Sequence, residues 1–460
     1  MDSIDKQKYS YRSVTSTRGN SFLNNLDGSV VFETTLGSDE RIDNLQNSYF
    51  MLNATVSSNL VMSHTNGTPL ESVFNANTNQ GISQNPAAAF ITSAEATFND
   101  KNIQRIENFE THSLIIKLLT ESKESQRESL SPLIMYDDDF DRILTGVSPY
   151  LQNDNFSNIV LTKNFIAQMD INNNVIRSYG PGPVFTKFRK STTSVTSPFT
   201  IQIGIPYPFM EPINQDENTL IYGNSKLSVA WQIRQNFNEY LFQGVSIAKN
   251  LIRIDNFEWI IPVYIDSIPQ SIEPKYTFME TTTSRQIHNN TSYSVNMKSM
   301  TRRVIINFFN IFNVENDILA VTGAKNFGIP VNPDIKSIQI SFGSTSYPSG
   351  LSYNLSLDDG SNSWTRAYND YKMYSGSLPS GETNIISSLK EFIKSPVFIF
   401  NTMTAQNSIG STICTINVTH NNAMVTNKYD IAITSMHYKE LTLRYNEMGV
   451  PVDTPLLAYV

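Results

Sequence analysis

The chain has 460 residues, a formal net charge of −8 and a single cysteine. This length predicts two to three domains at roughly 100–200 residues each, and one cysteine excludes an intrachain disulfide. Charged residues make up only 17% of the chain. The polar remainder is mostly Asn, Ser and Thr, which favour turns and β-structure over helix because their side chains compete for backbone hydrogen bonds.

The N-terminal segment bears on nucleic-acid binding and on targeting. Two acidic and four basic side chains occupy the first twenty residues, whereas an arm that condenses nucleic acid needs many Lys and Arg side chains to displace counterions. We therefore expect no direct sequence-specific binding of nucleic acid. The segment lacks the apolar core of a signal peptide, and no stretch approaches 18 apolar residues, so we expect synthesis in the cytoplasm.

Short alternation of apolar and polar residues is the dominant pattern, and it predicts strands with one buried face. The clearest runs are Ile201, Ile203 and Ile205; Leu227, Val229, Trp231 and Ile233; Val304, Ile306 and Phe308; Ile338, Ile340 and Phe342; Tyr429, Ile431 and Ile433; and Leu441, Leu443 and Tyr445. Turn-rich segments such as residues 180–183 and 346–350 separate the runs. These irregular, long connections favour a sandwich or jelly roll over a propeller, which would show a fixed-period repeat.

Helical periodicity occurs in three segments, each of which we expect to be an excursion between strands. Their apolar stripes are Leu114, Ile115, Leu118 and Leu119 in residues 112–128; Trp364, Ala367, Tyr368 and Tyr371 in residues 364–374; and Ile385, Ile386, Leu389, Phe392 and Ile393 in residues 383–393.

The best domain boundary lies at residues 265–276. Pro269 and Pro274 stand there in a polar stretch that directly follows the apolar run at residues 257–265. Each side carries its own set of predicted strands, enough for one eight-stranded roll. We expect an N-terminal arm at residues 1–27, a first roll at 28–268 and a second at 269–460.

An acidic run at residues 136–142 is the strongest candidate for a metal site. Asp137, Asp139 and Asp141 have the spacing of a calcium loop, but Arg142 stands where the loop needs glycine and Ser148 where it needs glutamate. Residues 170–174 fail in the same way. A solvated acidic loop is the better interpretation of both runs.

Other chemistry-bearing residues form no local signature. The five histidines, at 64, 112, 288, 420 and 437, share no zinc spacing, although His112 is predicted to lie at a helix start. Neither a nucleophile elbow nor a phosphate loop is present. Cys414, near Ile413 and Ile416, is predicted to be a buried structural thiol. We expect no catalytic, cofactor-binding or metal residues, no cofactor and no enzymatic activity.

The order of these features over roughly residues 30–450 resembles that of the double jelly-roll major capsid proteins of the adenovirus, polinton-like virus, adintovirus and virophage lineage. The landmarks are an early strand pair at residues 42–58; a strand, a tight turn at Asn99-Asp100-Lys101, a second strand and a helix at 93–125; two closing strands at 227–268; and strands at 299–310, 334–342 and 396–405. A proline that opens the 299–310 landmark in the family is absent here.

The resemblance implies an all-β protein of two tandem eight-stranded antiparallel jelly rolls with a few short helices. It implies a viral major capsid protein that self-assembles as pseudo-hexameric homotrimers into the icosahedral shell of a DNA virus. Its partners would be neighbouring capsomers, penton and minor capsid proteins, and an internal membrane or genome-associated proteins. Its location would be the virion, after synthesis in the host cytoplasm and assembly in the nucleus or cytoplasm.

Two alternatives stay open at this point. A carbohydrate-binding or carbohydrate-cleaving β-sandwich, such as a viral spike or surface lectin, would show the same strand pattern, because the paired carboxylates of a glycosidase have no sequence signature. The second alternative, after the sandwich, is a minor capsid or penton protein, although those usually have a single roll. Oligomeric state separates a capsid trimer from a lectin with an aromatic-lined groove.

Overall fold

The structure of the chain is a computed structural model. The described residues are 9–17, 29–56, 81–82, 90–120, 158–162, 165–169, 175–179, 199–212, 220–234, 242–243, 252–265, 274–298, 300–310, 330–348, 352–355, 362–374, 386, 388–402, 413–424, 429–445, 451 and 455–459.

The first half of the described chain contains sixteen strands, a short 3-10 helix at Leu45–Asn47 and one α-helix, α1, at Phe109–Thr120. The strands are β1 (Tyr9–Thr15), β2 (Ser29–Thr35), β3 (Glu40–Ile42), β4 (Tyr49–Val56), β5 (Gly81–Ile82), β6 (Ile91–Phe98), β7 (Lys101–Glu107), β8 (Asn158–Thr162), β9 (Phe165–Met169), β10 (Val175–Tyr179), β11 (Phe199–Pro206), β12 (Glu211–Pro212), β13 (Ile221–Tyr222), β14 (Lys226–Ile233), β15 (Phe242–Gln243) and β16 (Ile252–Ile265).

The second half contains ten strands among its described residues, and two helices, α2 at Asn362–Tyr374 and α3 at Leu389–Lys394. The strands are β17 (Lys275–Ile287), β18 (Ser292–Asn296), β19 (Arg303–Asn310), β20 (Ile335–Phe342), β21 (Thr345–Tyr347), β22 (Tyr353–Asn354), β23 (Phe398–Asn401), β24 (Ile413–His420), β25 (Tyr429–Thr442) and β26 (Leu456–Tyr459).

The two halves repeat one strand order. In the first half, β1, β16, β4 and β11 lie side by side in one sheet and β2, β14, β6 and β7 in the other. In the second half, β17, β25, β19 and β23 form one sheet and β18, β24, β20 and β21 the other. Each half thus has eight principal strands, which in chain order are β1, β2, β4, β6, β7, β11, β14 and β16 in the first half and β17, β18, β19, β20, β21, β23, β24 and β25 in the second. One sheet joins the first, eighth, third and sixth principal strands, and the other joins the second, seventh, fourth and fifth. All these pairs are antiparallel, as in a jelly roll, and the halves are called the first roll and the second roll.

Shorter strands supplement both rolls. β3 and β13 extend the first sheet of the first roll, whereas β22 pairs with β20 and β26 pairs with β25 in the second. β8, β9 and β10 form a separate three-stranded antiparallel sheet, and β5 pairs with β15. Within the described residues, no helix has the length and apolar character required to cross a bilayer.

Strand β14 illustrates how the sequence builds the core of the first roll. Leu227, Val229, Trp231 and Ile233 are all buried, as their alternation predicts. The Trp231 ring meets Phe50 of the opposite sheet edge to face, with ring centroids 4.8 Å apart. Aromatic pairs in this geometry add to the stability that apolar burial provides.

The predicted turn at Asn99-Asp100-Lys101 is confirmed as a two-residue hairpin between β6 and β7. Asn99 and Asp100 have positive φ angles of 46° and 62°, the combination that type I′ turns require and that Asn and Asp tolerate better than most residues. The Asn99 carboxamide oxygen also accepts the backbone N–H of Lys226 at 2.8 Å. The hairpin is thereby attached to the start of β14.

The first sheet of the second roll differs from the expected one-faced pattern. Every residue from 304 to 309 on β19 is at most 1% exposed, including Ile305 and Asn307, which lie between the predicted apolar positions. On β25, the stretch from Ile431 to His437 is also continuously buried. A sheet covered on both faces carries apolar residues without alternation. Part of the cover comes from the first roll, because α1 belongs to the same buried cluster and its His112 contacts Thr281 of β17.

Residues 9–17, which lie within the arm expected at residues 1–27, form part of the first roll. Tyr9–Thr15 forms β1, which pairs with β16 along its whole length, from Tyr9 opposite Tyr264 to Thr15 opposite Glu258. Arg12 forms an ion pair with Glu40. Only Val14 among the described apolar residues of β1 is buried, because an edge strand with one paired side leaves most of its side chains in solvent. The boundary between residues 268 and 269 lies outside the described residues and stays a prediction.

Two predicted helices are confirmed in position and one is shorter than expected. The apolar stripes of α1 and α2 are buried as predicted; of residues 112–128, those after Thr120 lie outside the described part. The helix expected at residues 383–393 begins only at Leu389. Ser388, which is itself extended, caps the helix: its hydroxyl accepts the backbone N–H of Glu391 at 3.2 Å and the Glu391 carboxylate accepts the Ser388 N–H. This reciprocal capping box fixes a helix start.

Candidate functional site: the junction between the rolls

A row of polar side chains on the first roll binds the edge of the second roll. Gln104 of β7 donates to the carbonyl oxygen of Met279 at 3.2 Å, and Asn108, just before α1, donates to that of Thr283 at 2.8 Å. Both carbonyls belong to β17, which pairs with β25 on one side and, among the described residues, with only the two residues of β12 on the other. An unpaired sheet edge exposes backbone groups that attract other strands. Here β12 and these two side chains, all from the first half of the chain, satisfy backbone groups along this edge.

His112 of α1 completes this row. Its Nε2 atom lies 3.3 Å from the Pro208 carbonyl oxygen and its Nδ1 atom 2.5 Å from the Thr281 hydroxyl. Because a carbonyl only accepts, the ring proton resides on Nε2 and Nδ1 accepts the Thr281 proton. Burial lowers the pKa of His112 to about 4, so the ring is neutral at neutral pH. Its role here is that of a structural hydrogen-bond partner.

The apolar face of α1 packs in the core of the second roll. Leu114, Ile115, Leu118 and Leu119 form one buried cluster with residues of β19, β25 and α2, although they precede these elements by about 180 residues or more in the chain. The Tyr371 hydroxyl of α2 donates to the Leu118 carbonyl oxygen at 2.8 Å, which is one of the carbonyls that a helix end leaves free. The first roll therefore supplies part of the second roll's core.

The second roll returns side chains to the core of the first. Tyr276, Phe278, Leu441, Leu443 and Tyr445 all belong to the buried cluster of the first roll. The Tyr445 hydroxyl lies 3.2 Å from the Ser225 hydroxyl, and burial raises the pKa of this phenol to about 12. The Tyr276 hydroxyl donates to the carbonyl oxygen of Leu220. Each roll therefore contributes apolar side chains to the core of the other.

The C-terminal strand adds a further tie. β26 pairs with the end of β25, while Leu457 packs against the core of the first roll. The Lys101 ammonium group, at the β6–β7 hairpin, donates to the Pro455 carbonyl oxygen. The last described residues thus contact both rolls.

A buried charge cluster lies within the second roll near the junction. The Glu280 carboxylate, whose side chain is 5% exposed, contacts the ammonium groups of Lys439 at 2.7 Å and Lys298 at 3.1 Å. Burial opposes ionisation of Glu280, but the two lysines outweigh it and hold its pKa below the usual range. For His437, burial lowers the pKa to about 4. A paired carboxylate of this kind is structural, since both partners satisfy it.

The candidate site residues in the sequence fall into two groups, those outside and those within the described part of the chain. Residues 136–142 and 170–174 and His64 lie outside the described residues. Cys414 is fully buried, as expected, and burial raises the pKa of its thiol to about 12. The structure brings His288 and His420 together, a pairing that their separation in sequence does not reveal. In the described part of the chain, no three His, Cys, Asp or Glu residues converge in a group able to hold a metal ion.

Comparison with known proteins addresses the fold. No protein-family model matches the chain, and no curated protein sequence matches it. A chain in the 3.5 Å cryo-EM structure of the Sputnik virophage is similar, with 11% identity, a TM-score of 0.59 and an alignment that covers 100% of this chain and 90% of that one.

Two further solved structures agree. VP54 of PBCV-1, fitted into a cryo-EM reconstruction of Sputnik, has 10% identity and a TM-score of 0.51 over 100% of this chain and 99% of that one. The Faustovirus major capsid protein has 11% identity and a TM-score of 0.51 over 96% and 91%. The chain has the double jelly-roll fold. The all-β class and the tandem arrangement of rolls expected from the sequence are confirmed.

In this double jelly roll, α1 and α2 occupy corresponding places, each after the fifth principal strand of its roll. Their packing differs: α2 packs in the core of its own roll, whereas α1 contacts β6 and β7 of its own roll and places its apolar face in the core of the second. The sequence indicates an apolar stripe on α1 but not the surface that covers it. The junction residues Gln104, Asn108 and His112 were missed as a group, because a polar side chain that binds a distant backbone carbonyl has no sequence pattern.

Proposed function

We propose that this chain is the major capsid protein of a DNA virus and that it self-assembles as homotrimers into an icosahedral shell. The observation that carries the proposal is the junction: two jelly rolls in one chain share apolar side chains in both directions and are joined by hydrogen bonds. A shell protein needs such a rigid pair of barrels, because three pairs around an axis present six similar barrels. Such a unit has a hexagonal outline and tiles a surface.

The physical properties of the chain support this role. Cyclic closure of three copies gives each chain the same head-to-tail interface. Permanent interfaces of this kind commonly bury about 2,000 Å² or more. The net charge of −8 and the weakly charged N-terminal segment suit a container whose genome is organised by other proteins. The full-length similarity to the Faustovirus major capsid protein is in agreement.

The proposal extends to location and partners. The protein would reside in the virion, after synthesis in the host cytoplasm and assembly in the nucleus or cytoplasm. It would contact neighbouring capsomers, penton and minor capsid proteins, and an internal membrane or genome-associated proteins. The division at residues 268 and 269 is proposed as the boundary between the rolls.

Oligomeric state tests the proposal directly. Multi-angle light scattering on the purified full-length chain at micromolar concentration should report three chains of 51.8 kDa each. Negative-stain microscopy of the same fractions should show particles of hexagonal outline. A stable monomer across a tenfold concentration range would contradict the proposal.

We further propose that the chain has no enzymatic activity and binds no cofactor. The carbohydrate-binding or carbohydrate-cleaving sandwich is the alternative that a second experiment addresses, and no observation on the described residues favours it. The pure protein should show no turnover of glycosides, esters or nucleotides and no retention on a glycan array. Turnover that a single Asp or Glu substitution abolishes would instead support a hydrolase.

A further inference from the structure

Two histidines meet at one end of the second roll. His288 follows the last residue of β17, and His420 is the last residue of β24. Their Nε2 atoms lie 2.9 Å apart. The His288 ring is fully buried and packs edge to face on Phe308 of β19, with centroids 4.9 Å apart. On its other side, the Nδ1 atom lies 2.6 Å from the Tyr293 hydroxyl of β18. The pair therefore joins three strands and the segment between β17 and β18.

The neighbouring hydrogen bonds fix where the protons reside. The Tyr293 oxygen accepts the backbone N–H of Asn290 at 3.0 Å, so the arrangement that uses every donor directs the phenol proton to Nδ1 of His288. His288 then carries its proton on Nε2 and donates it to Nε2 of His420. Both rings are neutral in this arrangement. A proton added to Nε2 of His420 would place two N–H donors face to face.

The charged groups on the surrounding elements do little to offset the repulsion between these two N–H donors. Asp334, before β20, favours protonation of His420, but the side-chain amides of Asn421 and Asn422 already bind its two carboxylate oxygens at 3.0 and 2.6 Å. Arg285 of β17 and Asp430 of β25 are paired with each other at 3.0 Å. Lys336 of β20 is exposed. No anionic partner among these groups contacts His288.

We propose that the His288–His420 pair is an acid-sensitive contact that loosens this end of the second roll as the pH falls below about 6. Its opening releases the connection at residues 288–291 and the end of β24, where Thr291 and Val418 are also joined by a backbone hydrogen bond at 2.8 Å. The inference concerns contacts within one chain and does not depend on the capsid proposal.

The expected size follows from proton linkage. Burial, and then the neighbouring His420, lower the pKa of His288 from 6.5 to about 4. A group with a lowered folded pKa stabilises the closed state above pH 6.5, and this stability is lost progressively as the pH falls toward 4. If opening exposes His288 to water, the opening equilibrium constant rises about 30-fold between pH 7.5 and pH 5.

Amide hydrogen exchange on the full-length chain measures this opening. After correction for the intrinsic pH dependence of exchange, peptides that cover residues 288–298 and 413–424 should exchange about 30-fold faster at pH 5 than at pH 7.5, and peptides from residues 226–233 should change little. All buffers contain EDTA so that no metal ion bridges the rings. Equal changes in both regions would overturn the proposal.

Variants separate the pair from the other buried histidines. His288→Gln keeps groups that hydrogen-bond to Tyr293 and His420 but takes up no proton, so it should abolish most of the increase. His420→Gln, which still accepts from His288, should reduce it, and the control His437→Gln should leave it intact. An unchanged increase in His288→Gln or His420→Gln would disprove a role for the pair.

A measurement without variants covers the case in which His288→Gln does not fold. Hydrogen exchange at the imidazole C2 position, followed by mass spectrometry, gives the pKa of each histidine in the wild-type chain. We expect a value below 5 for His288 and a higher one for His420. A pKa near 6.5 for His288 would refute the proposal.

Discussion

Replacing Ile115 with alanine would delete three carbon atoms from a side chain that the first roll contributes to the second roll's core. Ile115 is fully buried on α1 and belongs to the buried cluster that also contains residues of β19, β25 and α2. Ile→Ala substitutions in cores cost about 2 to 5 kcal/mol, and the upper part of that range applies where the surroundings cannot collapse. A helix held between two sheets is such a place. We expect a loss of about 4 kcal/mol in the free energy of unfolding.

Guanidinium denaturation followed by tryptophan fluorescence tests this value, because both cores contain the reporter. Trp231 and Trp259 lie in the first core and Trp364 in the second. Ile116→Ala is the matched control: Ile116 is on the same helix but only partly buried, so its loss should be about 1 to 2 kcal/mol. Equal losses for Ile115→Ala and Ile116→Ala would refute the packing of α1 into the second roll.

Three further predictions concern a close backbone approach, a helix cap and a buried ring. Gly223→Ala should destabilise the chain by about 1 to 3 kcal/mol in thermal denaturation, because a Cβ there would lie 2.3 Å from the carbonyl oxygen of Gly37; a neutral result would disprove this contact. Ser388→Ala should cost about 1 kcal/mol by removing the hydroxyl bound to Glu391, and Ser388→Asp should retain most of the stability; equal losses in both would contradict the capping role. His112 has a folded pKa lowered to about 4, so its contribution is complete above pH 6.5 and is lost on acidification; His112→Gln should flatten the dependence of the melting temperature on pH between 7 and 5, and an unchanged slope would argue against it.

Local sequence patterns predicted the strands that have one solvent-exposed face. Leu227, Val229, Trp231 and Ile233 alternate in sequence and are buried in the structure, because the burial of each depends on period-two geometry alone. The Asn99-Asp100 turn was equally readable, since its conformation depends on those two residues. Such features are encoded within about ten residues of chain.

Features that depend on the other roll were not readable. Asn307 and Thr434 are buried polar residues on one face of the sheet that contains β19 and β25, and a sequence of this kind predicts at least one exposed face. Apolar residues of this face belong to the same buried cluster as residues of α1, which lies more than 180 residues earlier. β1 was missed for the opposite reason: it is mostly polar and exposed, and its order comes from pairing with β16, which follows more than 230 residues later.

The placement of α1 also determines how long its apolar face stays uncovered during synthesis of the chain. The helix leaves the ribosome with the first roll, but Thr442, the end of β25, follows 322 residues after Thr120. At translation rates of about 5–20 residues per second, the leucine face of α1 waits roughly 15 to 65 s for the surface that will cover it. A nascent chain with an uncovered apolar helix is a substrate for chaperones and a risk for aggregation. The yield of this protein should therefore depend on the folding capacity of the cell that makes it.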